Sequence, residues 1–470
     1  MEITSARRRY HKIYQALRNR PRLSSIPHFS TRTPFCTRSF STHEYRPLSK
    51  PHIQHNFRNH ISTSSNRCYC STPSPNTSSP TPLDGITVIA LEQVISAPYC
   101  TRHLADSGAR VIKIERPGTG DFARLYDTRA SGLCSHFAWV NRSKESLALD
   151  IKDTKDLEIL KRLIRGSDVF IQNLKPGIAA RMGLGYEDLR KENERLIVCD
   201  ISGYGSSGPY TKKKAYDLLI QAEAGLLSIT GTEITPSKVG ISIADIAAGM
   251  YAYSNIMAAL MLRQKTGKGC RIDVSMLECM VEWMGFPMFF AYGGKEGPRR
   301  RGSDHASIYP YGVFRTGKGE GTVMLGLQNE REWKVFCEGV LEMPELVAEE
   351  RFNGSTKRSE NREALKEFIE EAFKGMTVEE VVEKLDKAEI GNSKVNDMQD
   401  VWDHPQLEAR NMWTEVETEH GKLKSLLPPG TPSTFQPTMG PIPRVGEHNE
   451  KILRELEDCV FARQDRKGKV

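Results

Sequence analysis

The chain has 470 residues, 38% of them apolar and 27% charged, which is enough for one large or two ordinary globular domains. Its formal charge of +7 arises at the amino terminus, where residues 1–80 hold thirteen Lys and Arg against Glu2 and Glu44, a net of +11. Subtracting +11 from +7 leaves −4 for the rest of the chain, which excludes the basic surface of a nucleic-acid-binding protein.

The first 81 residues have the composition of a targeting segment. Residues 7–23 (RRRYHKIYQALRNRPRL) interleave basic with apolar side chains, and residues 71–81 are rich in Pro, Ser and Thr. This pattern is typical of a mitochondrial transit peptide, although a disordered basic tail has a similar composition beyond residue 25. We therefore predict a transit peptide and disordered linker over residues 1–81, and a mature protein in the mitochondrial matrix.

The cysteine spacing argues against a metal-bound or disulfide-bonded framework, and the longest apolar run argues against a membrane protein. The ten cysteines form no Cys-x-x-Cys pair and no Cys/His cluster, so the sequence predicts neither a metal site nor a disulfide framework. The run from 246 to 262 approaches the length of a membrane span, but it contains Gly249, Ser254 and Asn255 and is flanked by globular patterns. We interpret it as a core helix and predict no contact with a membrane.

Strands alternate with helices from residue 86 onward. Predicted strands cover residues 86–91 (ITVIAL), 110–115 (RVIKIE), 168–172 (DVFIQ) and 196–201 (LIVCDI), and predicted helices cover 98–107, 154–165 and 186–194. This α/β alternation predicts a mostly parallel sheet covered on both faces. Ligands of such sheets bind at the carboxyl ends of the strands.

A glycine pattern after the fourth of these strands resembles a dinucleotide-binding loop. Gly203, Gly205 and Gly208 fit G-x-G-x-x-G. However, Pro209 and the lysines at 212–214 follow where a helix should begin, and the pattern does not follow the first strand of the series. The sequence therefore predicts no bound nicotinamide or flavin.

Asp245 stands at the start of the most apolar stretch of the chain. No other charge occurs between residues 246 and 262, so we predict a helix that is buried nearly all round. The free N–H groups and positive pole of the helix N-terminus should keep Asp245 ionised at neutral pH. Taken alone, an Asp in this position is commonly only a helix cap.

A second unit follows a composition break at residues 293–302 (GGKEGPRRRG). Before the break, we predict a strand at 271–275 and an aromatic-rich helix ending near residue 292. After it, strands are predicted at 307–314 and 322–327, helices at 330–341, 362–372 and 378–385, irregular structure beyond Asp403, and a last helix at 449–458.

Many separate segments together resemble the class III CoA-transferases of the CaiB/BaiF type. They are PLDGITVIALEQVISAP, VIKIERPGTGD, SLALDIK, NLKPG, RMGL, SGYGSSGPY, RQKTGKG after the Asp245 helix, and VGEHNEKIL, and the resemblance spans about residues 82–456. It implies a Rossmann-like large domain, a smaller α+β domain and an interlocked homodimer. We assign residues 82–292 to the large CoA-binding domain, 293–410 to the small domain, and 411–470 to a linker and a C-terminal segment that returns to the large domain.

The resemblance also implies where coenzyme A would bind. CoA would be a substrate thioester, and no cofactor would be tightly bound. Basic residues beyond the predicted strands suit its phosphates, although each alone is commonly a solvated surface charge. The positions that match the family's CoA contacts are Ser96, Arg116, Leu149, Lys152, Asn173, Leu174, Lys175, Arg181, Lys214 and Tyr216.

Asp245 matches the nucleophilic aspartate of the family. The implied reaction forms an aspartyl anhydride and then an aspartyl-CoA thioester. The family also contains α-methylacyl-CoA racemases, in which a histidine immediately precedes the aspartate that corresponds to Asp217; here that residue is Tyr216. We therefore favour a transferase over a racemase, and a catalytically silent acyl-CoA-binding protein is the third alternative.

The C-terminal half resembles the branch that acts on C4 and C5 dicarboxylates. The relevant segments are HASI at 305–308, PYG at 310–312, GNSKVND at 391–397, VWDHP at 401–405 and LLPPG at 426–430. They differ from the glycine run of the formyl/oxalate branch. Succinyl-CoA is the expected donor, and itaconate, mesaconate, citramalate or malate the expected acceptor. A cation should meet the unreacted carboxylate, with His305 and Arg301 as candidates, although the arginine run at 299–301 also suits a solvated linker.

Overall fold

The computed structural model of the protein describes residues 80–317, 321–430 and 432–467. The predicted transit peptide and linker lie almost wholly outside these residues and stay a prediction. Among the described residues, no helix combines the length and the apolar character needed to span a bilayer.

A six-stranded, entirely parallel sheet organises the first two thirds of the described chain, which confirms the α/β prediction. Its strands are β1 Thr87–Leu91, β2 Arg110–Glu115, β3 Lys144–Ala148, β4 Val169–Gln172, β5 Ile197–Ser202 and β6 Arg271–Ser275. They lie in the order β3-β2-β1-β4-β5-β6. Strand order therefore changes direction between β1 and β4.

Helices cover both faces of this sheet. They are α1 Ser96–Asp106, α2 Ser135–Val140, α3 Thr154–Arg165, α4 Ile178–Arg181, α5 Tyr186–Glu192, α6 Asp217–Glu223, α7 Leu226–Ile229, α8 Ile243–Thr266, α9 Met276–Trp283 and α10 Gly285–Phe290. Val88 and Ala90 pack on the side of α1 and α8, whereas Ile89 and Leu91 pack on the side of α3 and α5. Successive side chains of β1 thus pack into two different hydrophobic cores, one on each face of the sheet.

Beyond residue 300 the sheets are small and antiparallel. The elements are β7 Tyr311–Arg315, β8 Thr322–Gly326, α11 Glu330–Val335, a π-helical turn Phe336–Val340, α12 Ser355–Glu360, α13 Arg362–Phe373, α14 Val378–Lys387, β9 Gly391–Lys394, α15 Met398–Trp402, α16 Pro405–Ala409, β10 Trp413–Thr418, β11 Gly421–Leu426 and α17 Asn449–Lys467. Strands β7, β8 and β9 form one sheet, and β10 pairs with β11. Ile452 and Leu456 of α17 pack in the core beside α3. The domain boundaries drawn from the sequence stay a prediction.

The predicted secondary structure misses one strand of the parallel sheet and is wrong in two other places. Strand β3 was not predicted, because its sequence KESLA is polar and its lysine is buried only through tertiary contacts. The stretch beyond Asp403 is not irregular, since it contains α16 and the β10–β11 hairpin. The aromatic-rich helix after β6 is two short helices, α9 and α10.

The helix that carries Asp245 is not buried all round in this chain. One face of α8 is buried, and it includes Ala248, Gly249 and Ala252. On the other face Met261 is 64% exposed and Leu262 is 55% exposed. The prediction of all-round burial is therefore wrong for the single chain, because nothing in the described chain covers that apolar face.

Gly249 permits α8 to approach α1 closely. A Cβ atom at this position would lie 2.7 Å from the backbone oxygen of Ser96 and 3.0 Å from the Tyr99 ring. Gly249 is one helical turn beyond Asp245, so the same close contact brings the start of α1 to the carboxylate.

Replacing Gly249 with Ala should lower the free energy of unfolding by about 1–3 kcal/mol, because the added methyl group meets backbone that cannot move independently. Unfolding in denaturant measures the change. The control is Gly339→Ala, at an exposed position of the π-helical turn, where a Cβ meets nothing within 4 Å. Equal effects of the two substitutions would contradict the close-contact explanation.

Candidate active site

The candidate site lies where the strand order changes direction. The loop after β1, residues 92–95, is joined to Asn173 at the end of β4: Gln93 N–H donates to Asn173 Oδ1 at 2.9 Å, and Asn173 Nδ2 donates to Gln93 O at 2.8 Å. Parallel α/β sheets bind ligands in the crevice at such a point. The topology therefore supports the predicted location at the carboxyl edge of the sheet.

Asp245 meets the amino-terminal end of α1 at this edge. The hydroxyl and the backbone N–H of Ser96 face the Asp245 carboxylate as hydrogen-bond donors and lower its pKa. Asn173 Nδ2 lies 3.2 Å from Ser96 Oγ and donates to it. Three of the predicted site residues, Ser96, Asn173 and Asp245, therefore form one hydrogen-bonded group.

Asp245 does not cap its own helix. Asp217 Oδ1 accepts the N–H groups of Ala244 at 2.8 Å and Asp245 at 3.3 Å. Gln221 Nε2 donates to the other Asp217 oxygen at 2.6 Å, one turn along α6. Asp217 thus supplies the cap of α8, and the carboxylate of Asp245 is left free to point toward α1.

The pKa of Asp245 is raised from its ordinary value to about 7. Burial is the largest cause, the negative charge of Asp217 adds to it, and the hydrogen bonds from Ser96 oppose it. The prediction that the α8 N-terminus keeps Asp245 ionised is therefore wrong, because those N–H groups are bound to Asp217. A carboxyl group whose pKa is shifted close to neutral pH is typical of a functional site.

A cluster of buried charges lies beneath the loop of residues 92–95. Lys113 Nζ lies 2.8 Å from Asp121 and 3.3 Å from Glu92, and Lys144 Nζ lies 2.8 Å from Glu92. Asp121 also accepts the Val94 N–H at 3.0 Å. We call Glu92, Lys113, Asp121 and Lys144 the buried charge cluster. All four side chains are fully buried, and sequence reasoning missed all of them.

The charges of this cluster are mutually satisfied. Burial alone would raise the pKa values of Glu92 and Asp121, but the neighbouring lysines hold both below their ordinary values. Lysine inside the apolar strand RVIKIE was the signal that the sequence offered, since an unpaired lysine there would be costly.

The remaining CoA candidates line the same edge of the sheet. Arg116 directly follows β2, Leu149 and Lys152 follow β3, Leu174 and Lys175 follow β4, Arg181 ends α4, and Lys214 and Tyr216 precede α6. The five cationic side chains are exposed and Tyr216 is 69% exposed, whereas Leu149 is buried. The side-chain amide of Asn173 is engaged within the protein by Gln93 and Ser96, so its backbone is the part left for a ligand.

His305 and Arg301 belong to a different part of the chain. His305 Nδ1 accepts the N–H groups of Ser307 at 3.2 Å and Ile308 at 3.0 Å, and its ring stacks on Tyr311 at 5.2 Å. The proton of the neutral ring is therefore assigned to Nε2. Arg301 pairs with Glu233. Within the described ranges, no recorded hydrogen bond or ion pair joins either residue to Asp245.

Asp127, Cys134 and His136 form one grouping of metal-ligand types, with their ligand atoms within 4.8 Å of one another. The sequence predicted no such cluster. The Asp127 carboxylate already accepts the N–H groups of Arg129 at 2.9 Å and Ser135 at 3.0 Å and the Ser135 hydroxyl at 2.6 Å. Its evident role is to hold the start of α2.

Comparison with known proteins agrees with this geometry. Residues 83–449 match the family model described as CoA-transferase family III. The human protein named succinyl-CoA:glutarate CoA-transferase is 34% identical over 80% of this chain and 86% of its own length. The Acetobacter aceti acetyl-CoA:oxalate CoA-transferase is 35% identical over 70% and 85%.

Among solved structures, a CaiB/BaiF family protein from Brucella suis superposes with a TM-score of 0.72 at 32% identity, covering 80% of this chain and 99% of that one. The parallel sheet, the carboxylate at its carboxyl edge and the match over residues 83–449 lead to one conclusion: the chain belongs to the class III CoA-transferases and is a CoA-transferase.

Proposed function

We propose that this enzyme moves CoA from succinyl-CoA to a small free dicarboxylate through covalent chemistry on Asp245. The observation that carries the proposal is a partly buried carboxylate bound by Ser96 at the carboxyl edge of the sheet. Exposed cations line the same edge and suit the phosphates of CoA.

The reaction proceeds through two anhydrides and one thioester. The Asp245 carboxylate attacks the thioester carbonyl of the donor, the carbon–sulfur bond breaks, and CoA thiolate leaves a mixed anhydride on Asp245. The thiolate attacks the Asp245 acyl carbon and releases the donor carboxylate, which gives an aspartyl-CoA thioester. The acceptor carboxylate attacks this thioester and frees the thiolate again. The thiolate then attacks the acceptor carbonyl, which releases the new acyl-CoA and regenerates Asp245.

The surroundings of Asp245 suit this chemistry. Partial burial removes water from the nucleophile and from an anhydride that water would destroy. The bonds from Ser96 keep enough of the carboxylate ionised near neutral pH. Asp217 occupies the N–H groups at the start of α8, so this helix end does not attract the acceptor carboxylate away from the acyl carbon.

The acceptor class rests on the resemblance and on the named relatives. The human relative is named for glutarate and the bacterial one for oxalate, which are both dicarboxylates. We place itaconate, mesaconate, citramalate and malate first, with glutarate and oxalate as the competing acceptors. His305 presents Nε2 as a donor for the second carboxylate, and it is favoured over Arg301, which Glu233 already neutralises.

We further propose that the enzyme works as an interlocked homodimer in the mitochondrial matrix. The exposed apolar face of α8 supports an oligomer, as do Trp283, Phe286 and Phe289, which are 45%, 70% and 79% exposed on and beside α9 and α10. The composition of residues 1–81 supports the location.

Label exchange tests the main proposal. Purified enzyme given succinyl-CoA and each free dicarboxylate in turn should form the new acyl-CoA, and the Asp245→Asn variant should be slower on the order of 10³-fold or more, because it lacks the nucleophile. The control is Asp153→Asn, which keeps an N-cap side chain on α3. Exchange of the α-proton without any added carboxylate would establish a racemase, and acyl-CoA binding without any turnover would establish a silent binding protein.

The acid limb of the pH–rate profile should report Asp245. The rate should fall below about pH 7 as the carboxylate is protonated. Asp217→Asn removes a negative charge that raises this pKa but keeps an oxygen to cap α8, so the limb should move to lower pH by roughly one unit. A limb that stays in place, or moves equally in Asp153→Asn, would contradict this electrostatic assignment.

His305→Ala should raise the KM for dicarboxylate acceptors by about tenfold or more, because it removes a hydrogen bond to a charged group. The KM for a monocarboxylate acceptor should not change, since that acceptor has no second carboxylate. The control is Arg299→Ala, whose exposed side chain pairs only with Glu296 in the described contacts. Equal losses for both kinds of acceptor would show that His305 maintains the loop instead.

A further inference from the structure

We propose that Asp121 is a positioning residue: held in the buried charge cluster, it binds the Val94 N–H and thereby fixes the turn that directs Ser96 at Asp245. For catalysis the proposal rests on the function proposed above. The geometry it describes is a property of the free protein.

The turn before α1 needs an external restraint. Val94 has φ 64°, in the left-handed region that a β-branched residue avoids. Both oxygens of Asp121 lie near its N–H, at 3.0 and 3.1 Å. Ser96 follows two residues later and opens α1. Loss of the Asp121 acceptor would leave Val94 free to return to an ordinary conformation and to rotate the Ser96 N–H and hydroxyl away.

Asp121 is itself fixed from several directions. Lys113 holds one of its oxygens at 2.8 Å, the Ala123 N–H donates to the other at 2.9 Å, and its own N–H donates to Glu115 at 2.9 Å. Lys113 also contacts Glu92, which is at the other end of the same loop. The cluster therefore holds the loop at Glu92 and at Val94, while Asn173 holds Gln93 between them.

Stability alone does not explain why so many charged contacts hold the loop of residues 92–95. A buried ion pair contributes little net stability compared with apolar packing of the same volume, so its best-attested use is to specify one arrangement. Here the buried charge cluster specifies the strained backbone of Val94, which lies two residues before Ser96, the residue that donates to Asp245. Backbone strain held in this way is characteristic of functional sites.

Loss of the Asp121 contact should change the pKa of Asp245 in a definite direction. Ser96 stabilises the ionised carboxylate, so weaker donation from Ser96 should raise the pKa of Asp245. The titratable groups close to Asp245 are Asp217 on α6 and Tyr126 in the segment after β2, and the charges of Asp121 and Asp245 both act on the Tyr126 hydroxyl. Removing the negative charge of Asp121 would by itself lower the pKa of Asp245, so a rise in this pKa has to come through Val94 and Ser96.

The test measures the ionisation of Asp245 without any substrate. Protein labelled with ¹³C at the Asp carboxyl carbons is titrated by infrared spectroscopy, and the spectrum of Asp245→Asn is subtracted so that only Asp245 remains. In Asp121→Ala, which leaves the Val94 N–H without this acceptor, the midpoint should rise by roughly one unit, the worth of one hydrogen bond to a charged group. Ser96→Ala should raise it in the same direction, and the double variant should shift less than the sum of the two.

The matched control is Asp106→Ala. Asp106 is also buried and paired with an arginine, Arg142, but it lies at the far end of α1 and does not contact the loop. It should lower the melting temperature without moving the Asp245 midpoint. If Asp121→Ala does not fold, Asp121→Glu keeps the charge beside Lys113 while displacing the acceptor, and it should shift the midpoint in the same direction.

An unchanged midpoint in a folded Asp121 variant with a lowered melting temperature would overturn the proposal and leave Asp121 with a structural role only. The same variants are then assayed for transfer, where the acid limb of kcat should move to higher pH by the same amount. A wild-type enzyme that transfers no CoA would contradict the proposed function, whereas the infrared titration would still decide the role of Asp121.

Discussion

The contact between α1 and α8 at Gly249 is the constraint on which the site depends. Without a side chain at that position, the backbone of α8 lies against the Ser96 carbonyl, and Asp245 one turn earlier faces the first N–H of α1. The proposed nucleophile therefore stands at the positive end of a helix other than its own. The glycine has φ in the ordinary helical range, so it is needed for space and not for conformation.

Two carboxylates share the work at this point, and their roles differ because their surroundings differ. Asp217 takes the free N–H groups of α8 and stays committed to them. Within the described residues, Asp245 faces the two donors of Ser96, and its burial together with the charge of Asp217 raises its pKa to about 7. The carboxylate of Asp217, which caps α8, thus also raises the pKa of the neighbouring Asp245. Enzymes commonly assign different tasks to paired acids by this means.

The sequence predicted the sheet and the place of the site, but not the interactions that tune it. Strands such as RVIKIE and helices such as residues 154–165 follow from local sequence patterns, and the structure confirms them. Strand β3 was not predicted because the charge of its buried lysine is neutralised by Glu92, which is 52 residues away. The pKa of Asp245 was predicted wrongly for the same reason. Its own helix N-terminus is visible in the sequence, whereas the capture of that terminus by Asp217, 28 residues earlier, is not.

Substrate binding must act on a carboxylate that is already near its pKa. A CoA thioester would exclude more water from Asp245, and its phosphates would add negative charge to that of Asp217; both effects raise the pKa further and oppose attack. The exposed cations at the same edge, such as Arg116, Lys152 and Lys175, offset the second effect by neutralising the phosphates where they would bind. The first effect can be opposed only by donors that reach the carboxylate itself. In the described chain those donors belong to Ser96, so the loop before α1, which Asp121 holds at Val94, would set how much of the proposed nucleophile remains ionised once substrate is bound.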